Sequence, residues 1–126
     1  MADSLSIEIR GLNEVVADLG RASRDAGPRV AAVVRKTAAD IEATSKQFAP
    51  VDTGALRNSI GHDFEQDWRS ASARAVIGPT VEYARFVEWG TSTQGPQAFM
   101  GPALDRHSAD FVTALGDVVG TLDGKG

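Results

Sequence analysis

PRVAAVVRKTAADIEATSKQFAP, residues 28–50, sets the frame for the rest of the chain. Val30, Val33 or Val34, Thr37, Ile41, Ser45 and Phe48 recur every three or four positions, while Arg35, Lys36, Asp40, Glu42 and Lys46 face elsewhere. That period predicts one amphipathic helix. Pro28 suits its first turn, where a missing N–H costs nothing. Pro50 stops it and biases Ala49 toward extended backbone.

Outward from this helix the pattern changes twice. Upstream, Leu5-Ser6-Ile7-Glu8-Ile9-Arg10 alternates strictly and predicts a short strand with one buried side, ended by Gly11. Leu12, Val15, Val16 and Leu19 then fit a short amphipathic helix with Asn13 as its N-cap and Gly20 weakening its last turn. Downstream, Pro50-Val51-Asp52-Thr53-Gly54 reads as a turn. Asp52 can accept from backbone donors two residues on, and Gly54 tolerates positive φ. Ile60, His62 and Phe64 share one face of a strand, and Ala73, Ala75 and Ile77 one face of another. The polar stretch from Gln66 to Ala71 joins them as an antiparallel hairpin. Trp68 at its tip either folds back or meets a partner. Gly78-Pro79-Thr80 closes the hairpin, Thr80 caps a short helix from Val81 to Trp89 with Glu82 near its positive end, and Gly90 ends it. Thr91 to Gln97 is a polar loop. Gly101-Pro102 opens the last helix, with Leu104, Ser108, Phe111, Leu115, Val118 and Leu122 on one stripe. Residues 120–126 read as a flexible tail.

The sequence therefore predicts one α+β domain spanning 1–126. A small antiparallel sheet, the N-terminal strand plus the hairpin, packs against a long central helix and a C-terminal helix. At 126 residues such a domain buries a core without disulfides or a metal. The absence of cysteine excludes a disulfide scaffold, a thiolate metal centre and a thiol nucleophile. The first residues have neither the basic flank nor the apolar stretch of a signal peptide. Apolar runs stop at about five residues, where a membrane span needs about 20. The net charge is −4, and neither part of the chain is basic. The first 48 residues hold seven basic and seven acidic side chains, leaving six and ten for the rest. Sequence-specific DNA binding is not expected from such a balance.

The residues that could carry chemistry are few. His107 and Asp110 lie three apart on one helical face, but two ligands fall short of a zinc site. Both they and His62 read as surface or edge groups. Two histidines with no G-x-S-x-G elbow give no hydrolase triad, and neither phosphate-loop pattern occurs. Asp63, Glu65 and Asp67 alternate onto one side of a strand, where they could hold a divalent cation; a solvated face that discourages edge-to-edge pairing is the plainer reading. Catalytic residues, cofactor and metal are accordingly expected to be none. The remaining signal is aromatic. Tyr83, Phe86 and Trp89 recur every third residue, and Phe99 and Met100 follow the loop. Both core and interface favour such residues, and the sequence leaves the two readings open.

Three segments, taken together, resemble a known family. They are Ala49-Pro50-Val51-Asp52-Thr53-Gly54-Ala55-Leu56, then Tyr83-Ala84-Arg85-Phe86-Val87-Glu88-Trp89-Gly90-Thr91, then Pro96-Gln97-Ala98-Phe99-Met100-Gly101-Pro102-Ala103. The small siphophage neck proteins, also termed head–tail joining, tail-completion or minor tail components, similarly show a long helix, a P-x-D-T-G-x-L turn, a hairpin, a Y-A-x-x-V-E-x-G-T helix end and a P-x-x-F-M-x-P-A helix start. The match in order and spacing runs from about Val30 to Leu115. Gly101 departs from it, standing where a longer or basic residue is common.

The resemblance implies a structural protein of the virion, assembled in the host cytoplasm. It would join the DNA-filled head to the tail through rings of identical subunits. Its partners would be other copies of itself, head-closure (stopper) or adaptor proteins, and tail-tube or tail-terminator proteins. It supplies no catalytic residues. What it implies for Asp52, Thr53, Gly54, Glu88, Trp89 and Gly90 is a role in fold and interface. Leu56, Trp68, Tyr83, Phe86, Phe99 and Met100 complete the candidate interface set. Segments 49–57 and 91–97 are expected to order against neighbours, and an acidic ring lumen would suit passage of DNA. A tail terminator, the ring that caps the finished tube, is the nearest alternative.

Overall fold

The computed structural model describes residues 6–11, 13–20, 25–50, 54–81, 83–92 and 95–122. The chain order is β1 (Ser6–Arg10), β2 (Glu14–Asp18), α1 (Gly27–Phe48), α2 (Ala55–Ser59), β3 (Gly61–Asp67), β4 (Ser72–Gly78), α3 (Ala84–Trp89) and α4 (Met100–Leu122). The four strands form one sheet in the order β1-β2-β4-β3, and every neighbouring pair is antiparallel. The sheet packs against α1, and α4 packs along α1. The α+β architecture expected from the sequence is thus present, with one strand more than expected.

That strand is β2. Within the stretch from Leu12 to Leu19, expected to be a helix, Glu14–Asp18 pairs instead with β1 on one side and β4 on the other, and Leu12 lies outside the described residues. Short apolar runs fit both periods, and here the period of two prevails: Val15, Ala17 and Leu19 are buried while the residues between them are half-exposed. The adjacent valines favour extended backbone, and a central position between two strands satisfies both of its edges. Asn13 therefore caps no helix; its carbonyl accepts the Ile77 N–H at 2.7 Å. Gly11, at φ 61°, makes the reversal between β1 and β2.

On the inner face, Val15 and Ala17 of β2 and Ala73, Ala75 and Ile77 of β4 meet Val30, Val34, Ala38 and Ile41 of α1 in one buried cluster. The small alanines of β4 let the long helix approach closely. Phe111, Leu115 and Val118 of α4 belong to the same cluster. Phe48, expected on the buried stripe, is 38% exposed; the stripe ends at Ser45, and buried Ala49 continues the core beyond it.

Because β3 is an edge strand, its inner face is only partly covered. His62 meets Glu42 of α1 at 2.6 Å, Phe64 lies under the Arg35 guanidinium, and Gln66 reaches the Gly27 carbonyl. Burial is the largest influence on Glu42 and raises its pKa, yet the hydrogen bonds and charges of His62 and Lys46 together outweigh it and leave the carboxyl below its usual range. His107 bonds Thr44 at 2.7 Å, tying α4 to α1.

The outer sheet face is charged. Arg74 bonds Glu14 at 2.8 Å and Glu65 at 3.0 Å, holding Glu65 below the ordinary carboxylate range. Strand register puts Glu8, Glu14, Asp18, Asp63, Glu65 and Asp67 on this face against Arg10 and Arg74. Among the described residues no helix is long and apolar enough to cross a membrane.

Candidate assembly interface

α3 is short, and its two sides have opposite surroundings. Ala84 and Glu88 point inward and are buried, with Val87 packed against the core. Tyr83, Phe86 and Trp89 point outward, 45%, 48% and 66% exposed. Spacing of three along a helix sets each beside the next on the exposed side, an aromatic ridge with Tyr83 and Phe86 lining one surface hollow and Trp89 another. The Arg85 guanidinium sits 5.0 Å from the Phe86 ring centroid. The helix starts at Ala84 rather than Val81. Thr80 does not cap it, and its N–H donates to Ser59 Oγ at 3.2 Å, binding the chain to the end of α2. Glu82 lies outside the described residues.

Gly90 ends α3 with φ 83° and ψ 177°. That backbone region is essentially closed to residues with a Cβ, which accounts for glycine here. Its N–H still donates to the Phe86 carbonyl, and the Gln97 N–H donates to the Val87 carbonyl at 2.7 Å, so the connecting segment returns to α3. Phe99 and Met100 then enter the core, 1% and 5% exposed. The aromatic cluster thus divides, its first three members at the surface and the rest inside.

Glu88 organises this division. One carboxylate oxygen accepts the N–H groups of Phe99 and Met100 at 3.0 and 2.9 Å, and the other accepts that of Gly101 at 3.0 Å. A helix begins with N–H groups that have no partner within it. Here three are met by one buried carboxylate, and the next residue, Pro102, has no N–H to satisfy. The negative charge also opposes the positive end of the α4 dipole. The sequence singles out Glu88, Phe99, Met100 and Pro102 as motif members; the structure joins the two motifs into a single cap. No spacing rule would have found that bond, because its partners come from separate helices.

Between α3 and the β1–β2 turn lies an open cleft of about 430 Å³. Ile77, Pro79, Val81, Phe99 and Met100 make it chiefly apolar, Trp89 and Arg85 form part of its wall, and Asn13 and Gly11 close the strand side. Sequence reading did not anticipate it, since four separated segments contribute.

The other candidate residues lie elsewhere. Gly54, at φ 85°, starts α2, and its carbonyl accepts the Asn58 N–H at 2.9 Å. Leu56 is buried, 4% exposed. Asp52 and Thr53 lie outside the described residues, as do Val51, Thr93 and Gln94 within the two segments expected to order on assembly. The helix α2 overlaps the end of the first of these segments, where the sequence reads only as a turn. Trp68 is 79% exposed at the β3–β4 tip, the opposite end of the sheet from the cleft. Among the described residues no three His, Asp or Glu side chains gather as metal ligands.

A protein-family model described as "Bacteriophage HK97-gp10, putative tail-component" matches residues 13–90. No curated protein and no solved structure matches the chain. The family match takes in β2 through α3, including the aromatic ridge and Glu88.

Proposed function

The chain belongs to the HK97-gp10-like family of phage tail components, and on that premise we propose that it acts at the head–tail junction, joining the DNA-filled head to the tail through rings of identical subunits. As a tail component it is a structural part of the virion and works through contacts with other phage structural proteins. The observation that carries the finer reading is the ridge of Tyr83, Phe86 and Trp89, held at the surface beside an apolar cleft by a short helix whose other side is locked into the core. Large exposed aromatics of this kind mark protein interfaces.

Charge supports the same reading. In a ring whose lumen is lined by the acidic outer face of the sheet, DNA would pass without being gripped. Head-closure or adaptor proteins on one side and tail-tube or terminator proteins on the other are the partners this position requires.

The test is electron microscopy of particles made without the gene. Filled heads beside separate tails of normal length are expected. Tails of uncontrolled length would instead identify a terminator ring, and intact infectious particles would remove both roles.

A further inference from the structure

The same chain carries a plug and a socket at opposite ends of its sheet. Trp68 stands at the β3–β4 tip, beyond the end where Asp67 pairs with Ser72. The cleft opens at the other end, beside Gly11 of the β1–β2 turn and Pro79 after β4. With β4 seven residues long, the two are roughly 23 Å apart along the strands.

The chemistry of the cleft selects its occupant. Its carboxylate, Glu88, is already saturated by three backbone N–H groups, so it has little left for a polar ligand. What it offers is apolar surface, the face of Trp89 and a cation, Arg85, at the wall. An indole with an adjacent carboxylate fits that offer, and Trp68 has one. Asp67 precedes it, and only one of its oxygens is engaged by the Arg69 N–H. The volume, about 430 Å³, takes one aromatic side chain and part of its neighbour.

The area is also in proportion. At about 150–250 Å² per aromatic side chain, the exposed part of Trp68 comes to roughly 150–200 Å² on the plug side, and those of Tyr83, Phe86 and Trp89 to roughly 300–350 Å² on the socket side. An interface of ordinary size takes about 800 Å² from each partner, so these rings supply its apolar centre and polar neighbours the larger rim.

We propose that Trp68 of one copy enters the cleft beside α3 of the next, with Asp67 meeting Arg85, so that copies join head to tail. Because plug and socket are different surfaces, the contact is heterologous, the kind that repeats from copy to copy and makes a ring where the rotation between copies closes. The proposal rests on the reading of the chain as a self-assembling tail component.

Sedimentation velocity of the purified chain over a range of concentrations tests it. Concentration-dependent oligomers are expected, and Trp68→Ala should raise the dissociation constant at least about thirty-fold, the scale of an interface hot spot. Asp67→Arg and Arg85→Asp should each weaken assembly, and their combination should restore it. A plug-deficient copy, Trp68→Ala, mixed with a socket-deficient copy, Arg85→Glu with Trp89→Ala, should give one-to-one dimers and nothing larger. All these side chains are exposed, so circular dichroism and melting should match the native chain in the Trp68, Arg85 and Trp89 variants, while Asp67→Arg, which also removes the acceptor of the Arg69 N–H, should keep the native circular dichroism and melt slightly lower. A native chain that stays monomeric throughout, or a Trp68→Ala variant that assembles like the native one, overturns the contact. If deletion of the gene still leaves heads and tails unjoined in that case, the junction role stands and only this contact falls.

Discussion

Phe86 and Phe99 are the same residue type on either side of the segment joining α3 to α4, and they have opposite fates. Phe86 is about half exposed on α3, and Phe99 is sealed in the core just before α4. Hydrophobicity cannot distinguish them, since the side chains are identical. Local backbone does: α3 presents positions 83, 86 and 89 outward, while Glu88 draws the backbone of 99–101 inward by three hydrogen bonds. Burial in this region thus goes together with a polar group, the Glu88 carboxylate, as well as with apolar packing.

If that account holds, substitutions along 86–99 should grade in a definite order. Phe99→Ala removes a buried ring between the cleft and the core and should cost about 3–5 kcal/mol of folding stability, read from the midpoint of denaturant unfolding. Glu88→Ala leaves three N–H groups near the core without an acceptor and should cost about 2–4 kcal/mol by the same measure. A loss as small as that of an ordinary surface substitution would mean that the start of α4 is held by packing alone. Gly90→Ala, which forces a Cβ into a backbone region suited to glycine, should cost about 1–3 kcal/mol and lower the melting temperature accordingly. Phe86→Ala should lie within about 0.5 kcal/mol of the native chain. Its effect should appear instead in the yield of joined particles. A Phe86→Ala variant as unstable as Phe99→Ala would erase the contrast between ridge and core.

The parts of the fold that could be read in advance are those where one period dominates. Val30, Val34 and Ile41 could only be a helix face, and Ala73, Ala75 and Ile77 only a strand face, and both are buried as expected. β2 differs from the expected helix because Val15 and Leu19, four apart, suit one face of either a helix or a strand, and what decides between them is β1 and β4 lying to either side. The candidate site divides the same way. Tyr83, Phe86 and Trp89 announce themselves by spacing, but whether a ring faces core or solvent depends on what lies across from it. Nothing in the sequence brings Arg85, Asn13 and Pro79 together, because the cleft they line exists only once four segments meet. Trp68 was conspicuous for a different reason: an indole in a polar turn has no local use.

The remote cap also bears on the order in which the molecule acquires structure. α4 is 23 residues long but contains Gly101, Gly116 and Gly120, each weakening a helix by roughly 0.5–1 kcal/mol relative to alanine. Its first-turn donors wait for a carboxylate from another helix. A peptide of residues 100–122 should accordingly be mostly unstructured in water by circular dichroism, because both its cap and its packing partner α1 are missing. In the whole chain, the α4 helix can complete its first turn only after α3 has formed and the intervening segment has closed. Folding of the C-terminal helix is thereby made conditional on the element that bears the aromatic ridge, and the first turn of α4 should not be found ordered without α3.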